Sequence, residues 1–340
     1  MRIGIIGPVW QTIPPSGYGG SEIVVHNLVE GLVDLGHEVT LFAAGGSKTN
    51  ARLISVVERP VLEIKGRFDF ADPSYDLLNA SEAFVASKGF EVLHNAVGYQ
   101  LLPFTPFADC PVLHMSHSSI REYVDLISHY QEANYISISN AQRSLHPKAN
   151  YLATIYHGID TDKYVPSSKK EDFLLFIGRI MPEKGVHLAI EAAKQGGKKL
   201  IIAGIVDERD KQYFTKQVEP WVDGKQIIFF GSANEDQKID LMQRAQAHLF
   251  PTQWDEAFGL VTIEAMACGT PTVGWNKGAV PEVIKEGKTG FVVSSVKEMT
   301  AAIKRVGALD AKVCRAEAVE RFSRSAMARG YEAVYKKLIN

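Results

Sequence analysis

Two doubly wound α/β domains are predicted by three observations. Short apolar strands ending in glycine alternate with helices whose apolar residues recur at helical spacing. The pattern that opens the chain returns at residue 173, and 340 residues are enough for about two domains of roughly 150. Arg2 to Gly7 reads as the first buried parallel strand. After a loop with Pro14, Pro15, Gly17, Gly19 and Gly20, the run Ser21 to Leu35 places Val24, Val25, Leu28, Leu32 and Val33 on one helical face, and Gly36 stops it. Val39 to Ala43 is the next strand, so a right-handed parallel crossover is expected.

Strands follow at Val92 to His94, Val112 to Ser116 and Tyr135 to Ile138. Residues 45 to 90, with Gly45-Gly46, Asp72-Pro73 and two weak helical patterns, are a candidate for acceptor-contacting loops. The polar bridge Val165 to Asp172 marks the boundary, and Phe173 to Gly178 restarts the pattern. Helices are predicted at 186–195, 208–220, 235–246 and 259–268, with strands at 199–203, 227–230, 248–251 and 272–274. This gives a domain over 1–165, a second over 166–320, and a final helical segment, 321–340. In sheets of this kind ligands bind at the carboxyl ends of strands, so the expected site is the cleft between the domains.

Composition removes several functions. With 37 basic and 39 acidic side chains, no charge excess exists to neutralise nucleic-acid phosphates. Cys110, Cys268 and Cys314 are too dispersed for a disulfide framework or zinc knuckle, which suits a reducing cytoplasm. Neither an export signal nor a membrane-spanning run is read from the sequence. Residues 1–165 hold 11 Lys and Arg against 17 Asp and Glu, net −6, and the remainder is net +4, so the second half is expected to hold an anion.

Three constellations carry chemistry. Gly17-Tyr18-Gly19-Gly20 lets backbone amides at a helix start approach an anion or sugar, or is a plain turn. Arg179 and Lys184, five residues apart after a strand, can reach one diphosphate, or form a solvated loop. In Trp254 to Pro271, Glu256 precedes a helix and Glu264 lies inside it among apolar neighbours, where an acid needs a hydrogen-bonding partner. The helix start near Phe258 and Gly259 offers free amides to an anion.

The run EAFGLVTIEAMACGTP, followed by GAVPEVI and GKTGFVV, resembles the signature of family 4 of the glycosyltransferases, whose fold is GT-B. GYGG, LGHEVTLFA, SISNAQR, HGIDTDKY, FIGRIMPEKGVHLAIEA, IIAG and FFGS match in order, so the resemblance spans nearly all of the chain outside about 45–90. It implies a retaining transferase using a nucleotide-sugar donor, a UDP-sugar being the leading expectation, and no metal or other cofactor. Arg179 and Lys184 match the diphosphate clamp, Glu264 the ribose ligand and Glu256 the acid that holds the sugar ring. Phe258, Gly259, Leu260 and Val261 match backbone donors to phosphate, Gly19 and Gly20 close from the first domain, and Gly178 and Phe230 complete the donor set. His117 matches the histidine facing the sugar, with His114 and His94 as competitors. Asp160-Thr161-Asp162 has the Asp-x-Asp form of a metal site in another transferase fold, but matches the interdomain segment here. Trp254 and Trp275 neighbour the motif loops, Trp221 is expected in the core, and Cys268 is expected to be small and buried. Phe322 to Leu338 resembles the last helix that packs on the first domain. A soluble acceptor is expected, since Lys65, Arg67 and Lys88 are the only cations in 60–90. The alternatives are a non-catalytic sugar-nucleotide binder and a lipid- or polysaccharide-directed transferase.

Overall fold

The computed structural model describes residues 1–17, 19–66, 72–118, 120–167 and 169–339. Tyr18 of the glycine loop and Arg67 lie outside them. The chain divides into two units, 1–159 with 323–340, and 160–322.

The first unit carries a seven-stranded parallel sheet: β1 (Arg2–Ile6), β2 (Glu38–Phe42), β3 (Arg52–Ile54), β4 (Val92–Asn95), β5 (Val112–His114), β6 (Asn134–Ser137) and β7 (Tyr151–Thr154), in the order β3-β2-β1-β4-β5-β6-β7. Ile3 of β1 pairs with Val39 on one side and Val92 on the other. The order reverses direction between β1 and β4, which is where such a sheet opens a crevice at its carboxyl end. The helix Gly20–Asp34 forms as its apolar spacing requires, burying Val24, Val25, Leu28 and Leu32. The described residues of 45–90 form regular elements. They add β3 at the sheet edge and helices Val61–Lys65 and Ser74–Val85, the latter aiming Asn79 Nδ2 at the carbonyls of Gly7 and Phe42.

The last helix, Arg324–Ile339, packs on helix Gly20–Asp34 in this unit. Tyr335 and Tyr331 are fully buried, with the Tyr335 hydroxyl 2.6 Å from His94 Nδ1. A backbone bridge joins Ile159 to Ser323, so the chain enters and leaves the second unit at adjacent points.

The second unit carries six parallel strands: β8 (Phe173–Ile177), β9 (Lys199–Ala203), β10 (Ile227–Gly231), β11 (Ala247–Phe250), β12 (Thr272–Trp275) and β13 (Gly290–Val293), in the order β10-β9-β8-β11-β12-β13. Here the reversal lies between β8 and β11. The bridge Val165 to Asp172 lies in this unit, which begins at Asp160. Lys170 shows why: its ammonium donates to the carbonyls of Gln243 and Cys268 and to Thr270 Oγ1, pinning a segment whose composition reads as linker.

Two local expectations need correction. The predicted helix 208–220 is a succession of short turns, from Glu208–Asp210 to Glu219–Trp221, with a wide π turn at Phe214–Val218. Pro220 has no N–H to continue an α-helical ladder. Trp221 is not core: it is 47% exposed, with Lys194 Nζ 3.4 Å from the ring centroid. Cys268 is buried, and its thiol is pushed up to about 12 by burial.

Candidate functional site

In the second unit the loops after β8 and β11 flank the reversal of strand order, and they hold the predicted anion- and sugar-binding residues. Two glycines bring these loops together. A Cβ on Gly185, at φ +70°, would meet the Pro251 carbonyl oxygen at 2.1 Å; one on Gly278, at φ +52°, would meet the Glu256 carbonyl oxygen at 2.2 Å. Gln253 N–H donates to Glu183 O, and Ala279 N–H to Glu256 O, so Lys184 and Glu256 sit on backbones that are tied in place.

The result is an ion pair of 2.6 Å between Lys184 Nζ and Glu256 Oε2, each side chain 13% exposed. Trp254 Nε1–H donates to the same oxygen at 3.0 Å, and Lys184 Nζ lies 4.5 Å from the Trp254 ring centroid and 5.7 Å from that of Phe250. Glu256 Oε1 has no hydrogen-bond partner among the described residues. Gly178 follows the end of β8, and Arg179 is half-buried on the same loop. Around it, Asp210 has a raised pKa from burial and from the charges of Asp207 and Glu183, opposed by Arg209 and Arg179.

Helix Leu260–Ala267 begins at Gly259, which takes a left-handed conformation and supplies no side-chain cap. Thr262 N–H donates to Gly259 O at 3.0 Å, while the amides of Leu260 and Val261 have no intrahelical partner, and the positive dipole end faces the loop that carries Glu256. Leu260 and Val261 are half-buried, whereas the Phe258 ring is buried edge-on to Phe322 at 5.9 Å, leaving Phe258 a backbone role at most. Phe230 lies on the edge strand β10, 41% exposed and two strands away from β8.

Glu264 is 4% exposed, and its partners come from far away in sequence. Its Oε1 accepts from Lys238 Nζ at 3.0 Å and from the Tyr164 hydroxyl at 3.1 Å, and Lys238 also pairs with Glu235 Oε2 at 3.0 Å. Burial works against the Lys238 ammonium, but Glu264 and Glu235 outweigh it and raise its pKa. Oε2 of Glu264 carries no hydrogen bond among the described residues. Arg315 Nη1 donates to the carbonyls of Thr161, Tyr164 and Ala267, fixing the Tyr164 segment against this helix. Nothing local in the sequence points to Lys238 or Arg315, and Tyr164 enters only as the last residue of HGIDTDKY. The one available signal is the need of a buried acid for a cation.

In the first unit, Gly19 precedes and Gly20 begins helix Gly20–Asp34. The three histidines at strand ends divide by burial. His94 and His114 are fully buried, and burial holds both near pKa 3. Asn95 Nδ2 donates to His114 Nδ1, and His114 Nε2 lies 2.9 Å from Thr105 Oγ1, so that ring is fully committed. His117 is half-buried, with its pKa lowered to about 4 by desolvation. Its Nε2 lies 3.1 Å from Ala96 O, which only accepts; the proton is therefore on Nε2, and Nδ1 accepts from His157 Nε2 at 3.4 Å. His157, in the HGID segment, was not read from the sequence as a functional residue.

Asp160 and Asp162 do not converge. Asp160 Oδ1 accepts the Asp162 N–H in a local turn, while the Asp162 side chain is 95% exposed, 3.9 Å from Arg315. Among the described residues no group of three or more His, Cys, Asp or Glu is placed to hold a metal, and no helix is long and apolar enough to cross a membrane.

Family models match both parts of the chain: "Glycosyltransferase Family 4" over 18–163 and "Glycosyl transferases group 1" over 160–325. An uncharacterised glycosyltransferase of Methanocaldococcus jannaschii is 25% identical over 337 residues, covering 86% of this chain and 85% of that protein. A phosphatidyl-myo-inositol mannosyltransferase of Mycolicibacterium smegmatis is 26% identical, covering 95% and 88%. Among solved structures, a glycosyltransferase involved in avilamycin A biosynthesis superposes with a TM-score of 0.75 at 24% identity, covering 99% of this chain and 98% of that one.

Proposed function

The chain belongs to the glycosyltransferases of the GT-B fold, and on that premise we propose that it transfers a sugar from a UDP-sugar to an acceptor hydroxyl with retention of configuration. The observation that carries the donor reading is the Lys184–Glu256 pair beside the uncapped start of helix Leu260–Ala267. A cation, helix-end amides and a carboxylate with one free oxygen form a site for a ligand that is anionic at one point and hydroxylated at the next.

In this reading the diphosphate takes Lys184, Arg179 and the amides of Gly259 to Val261. These charges and dipoles stabilise the leaving group as its bond to the sugar breaks, without a metal. Glu256 accepts from sugar hydroxyls, and the free Oε2 of Glu264 accepts from the ribose. His117 is neutral at pH 7, so it contributes a hydrogen bond rather than a charge, and it meets a sugar only by exchanging its bond to Ala96 or His157. The strand-end loops of the N-terminal motifs carry no evident nucleophilic carboxylate, which supports same-face attack assisted by the leaving phosphate over double displacement.

UDP is favoured as the nucleotide by a fold relative, Anabaena HepE, whose structure is described with UDP and glucose. A water-soluble acceptor is favoured by the acidic balance of residues 1–165, while the similarity to a phosphatidyl-myo-inositol mannosyltransferase supports a lipid acceptor as the second reading. The test is a panel of UDP-, GDP- and ADP-sugars, with and without excess chelator, read by calorimetry and slow donor hydrolysis. Binding and hydrolysis of a UDP-sugar within about twofold in chelator is expected. A panel without binding, or a hundredfold loss restored by magnesium or manganese, overturns the reading.

A further inference from the structure

One carboxylate oxygen, Glu256 Oε2, receives two donors of different kinds. Lys184 Nζ is a cation on a four-carbon stem with several rotatable bonds, and Trp254 Nε1–H is a neutral donor on a rigid ring. If the diphosphate is to be held by Lys184, the ammonium has to turn from Glu256 toward phosphate. That movement removes the charged partner from the acid at the moment when the acid must point at the sugar. The Trp254 ring meets both partners at once: Nζ lies 4.5 Å from its centroid while its N–H is on Oε2, so the N–H does not depend on where the ammonium points.

We propose that Trp254 is a positioning residue: its indole N–H keeps Glu256 Oε2 anchored when Lys184 swings to the diphosphate, so that Oε1 stays directed at the sugar. This rests on the donor reading above and assigns Trp254 a role in sugar transfer, not in nucleotide affinity. Trp254 is 38% exposed, so its conversion to Phe removes the N–H and leaves a smaller aromatic ring without opening a core cavity.

The chain has four tryptophans, so 15N-tryptophan labelling gives four indole cross-peaks, and Trp254→Phe identifies the one from Trp254. This peak is expected downfield, to move upfield in Glu256→Ala, and to stay downfield when the wild-type protein is saturated with UDP. In parallel, Trp254→Phe is expected to leave UDP affinity within about twofold and to lower turnover of UDP-glucose, or of whichever UDP-sugar the panel selects, by roughly tenfold, the scale of one hydrogen bond to a charged group. A peak that moves on UDP binding to its Glu256→Ala position overturns the proposal, as does unchanged turnover in Trp254→Phe. Loss of UDP affinity together with turnover in that variant also overturns it, because Trp254 would then serve the nucleotide. If the wild-type protein fails to bind UDP and every UDP-sugar, the donor assignment itself falls, and the two failures are thereby distinct.

Discussion

Replacing Glu264 by alanine separates its part in the fold from the ribose contact proposed for it. The carboxylate is 5% and Lys238 15% exposed as side chains, so the substitution leaves a buried ammonium short of its nearest charge. Breaking a buried pair costs about 3–5 kcal/mol when nothing else compensates. Lys238 keeps the Tyr164 hydroxyl at 3.2 Å and Glu235 at 3.0 Å, and Glu235, which also accepts from Tyr164 at 2.5 Å, is 46% exposed and screened by solvent, so about half of that cost, ~2 kcal/mol, is expected. In a domain of this size it corresponds to roughly 4–8 °C in melting temperature.

UDP affinity should fall as well, by about 10- to 100-fold, through the lost charge-assisted bonds to ribose. Glu264→Gln keeps an acceptor for Tyr164 and Lys238 but turns the ligand-facing oxygen into a donor, so it should retain most of the stability and still lose UDP. Glu256→Ala should leave UDP affinity intact or slightly improved, since the diphosphate no longer competes with a carboxylate for Lys184, while turnover of the sugar donor falls. Scanning fluorimetry and calorimetric titration of the three variants with UDP provide the measurements. If Glu264→Ala melts low but binds UDP normally, Glu264 is a structural acid only; equal loss of UDP binding in the Glu256 and Glu264 variants refutes the assignment of the two acids to different ends of the donor.

Lys184→Ala and Arg179→Ala should each lower donor turnover roughly 30- to 1000-fold through the diphosphate, and near-normal rates in both would reduce the basic loop to a structural one. Asp76, 7% exposed, has its pKa raised to about 6 by burial, against the Val9 and Trp10 hydrogen bonds that lower it. A raised folded pKa stabilises the fold below the unfolded value near 4 and loses that contribution as pH climbs to about 6, so at pH 7.5 the ionised Asp76 costs about 2–3 kcal/mol. Asp76→Asn should therefore be more stable than wild type at pH 7.5 by up to that amount, with the gap closing near pH 4 in denaturant titrations; a pH-independent gap would contradict this.

The sequence by itself determined the two α/β halves, because buried parallel strands need unbroken apolar runs such as Phe173 to Ile177, and crossover helices need one apolar face, as in Gly20–Asp34. It also determined that Lys184 and Glu256 belong to loops at strand ends and Glu264 to the helix that follows, since those positions follow from strand and helix limits alone. Only the tertiary structure decided what each of them touches. Lys184 and Glu256 are 72 residues apart, and they meet because β8 and β11 are neighbours in the sheet and because Gly185 and Gly278 allow backbones to approach where a Cβ would collide. Glu264 finds Lys238 and Tyr164 by the same route, 26 and 100 residues away. His114 and His117 differ by three positions and are alike in chemistry; which one is sealed in the core and which is half-exposed depends on Asn95 and Thr105 closing over the first. Spacing encodes local periodicity, whereas hydrogen-bond partners and burial are set by strand order, which brings distant residues within reach of one another.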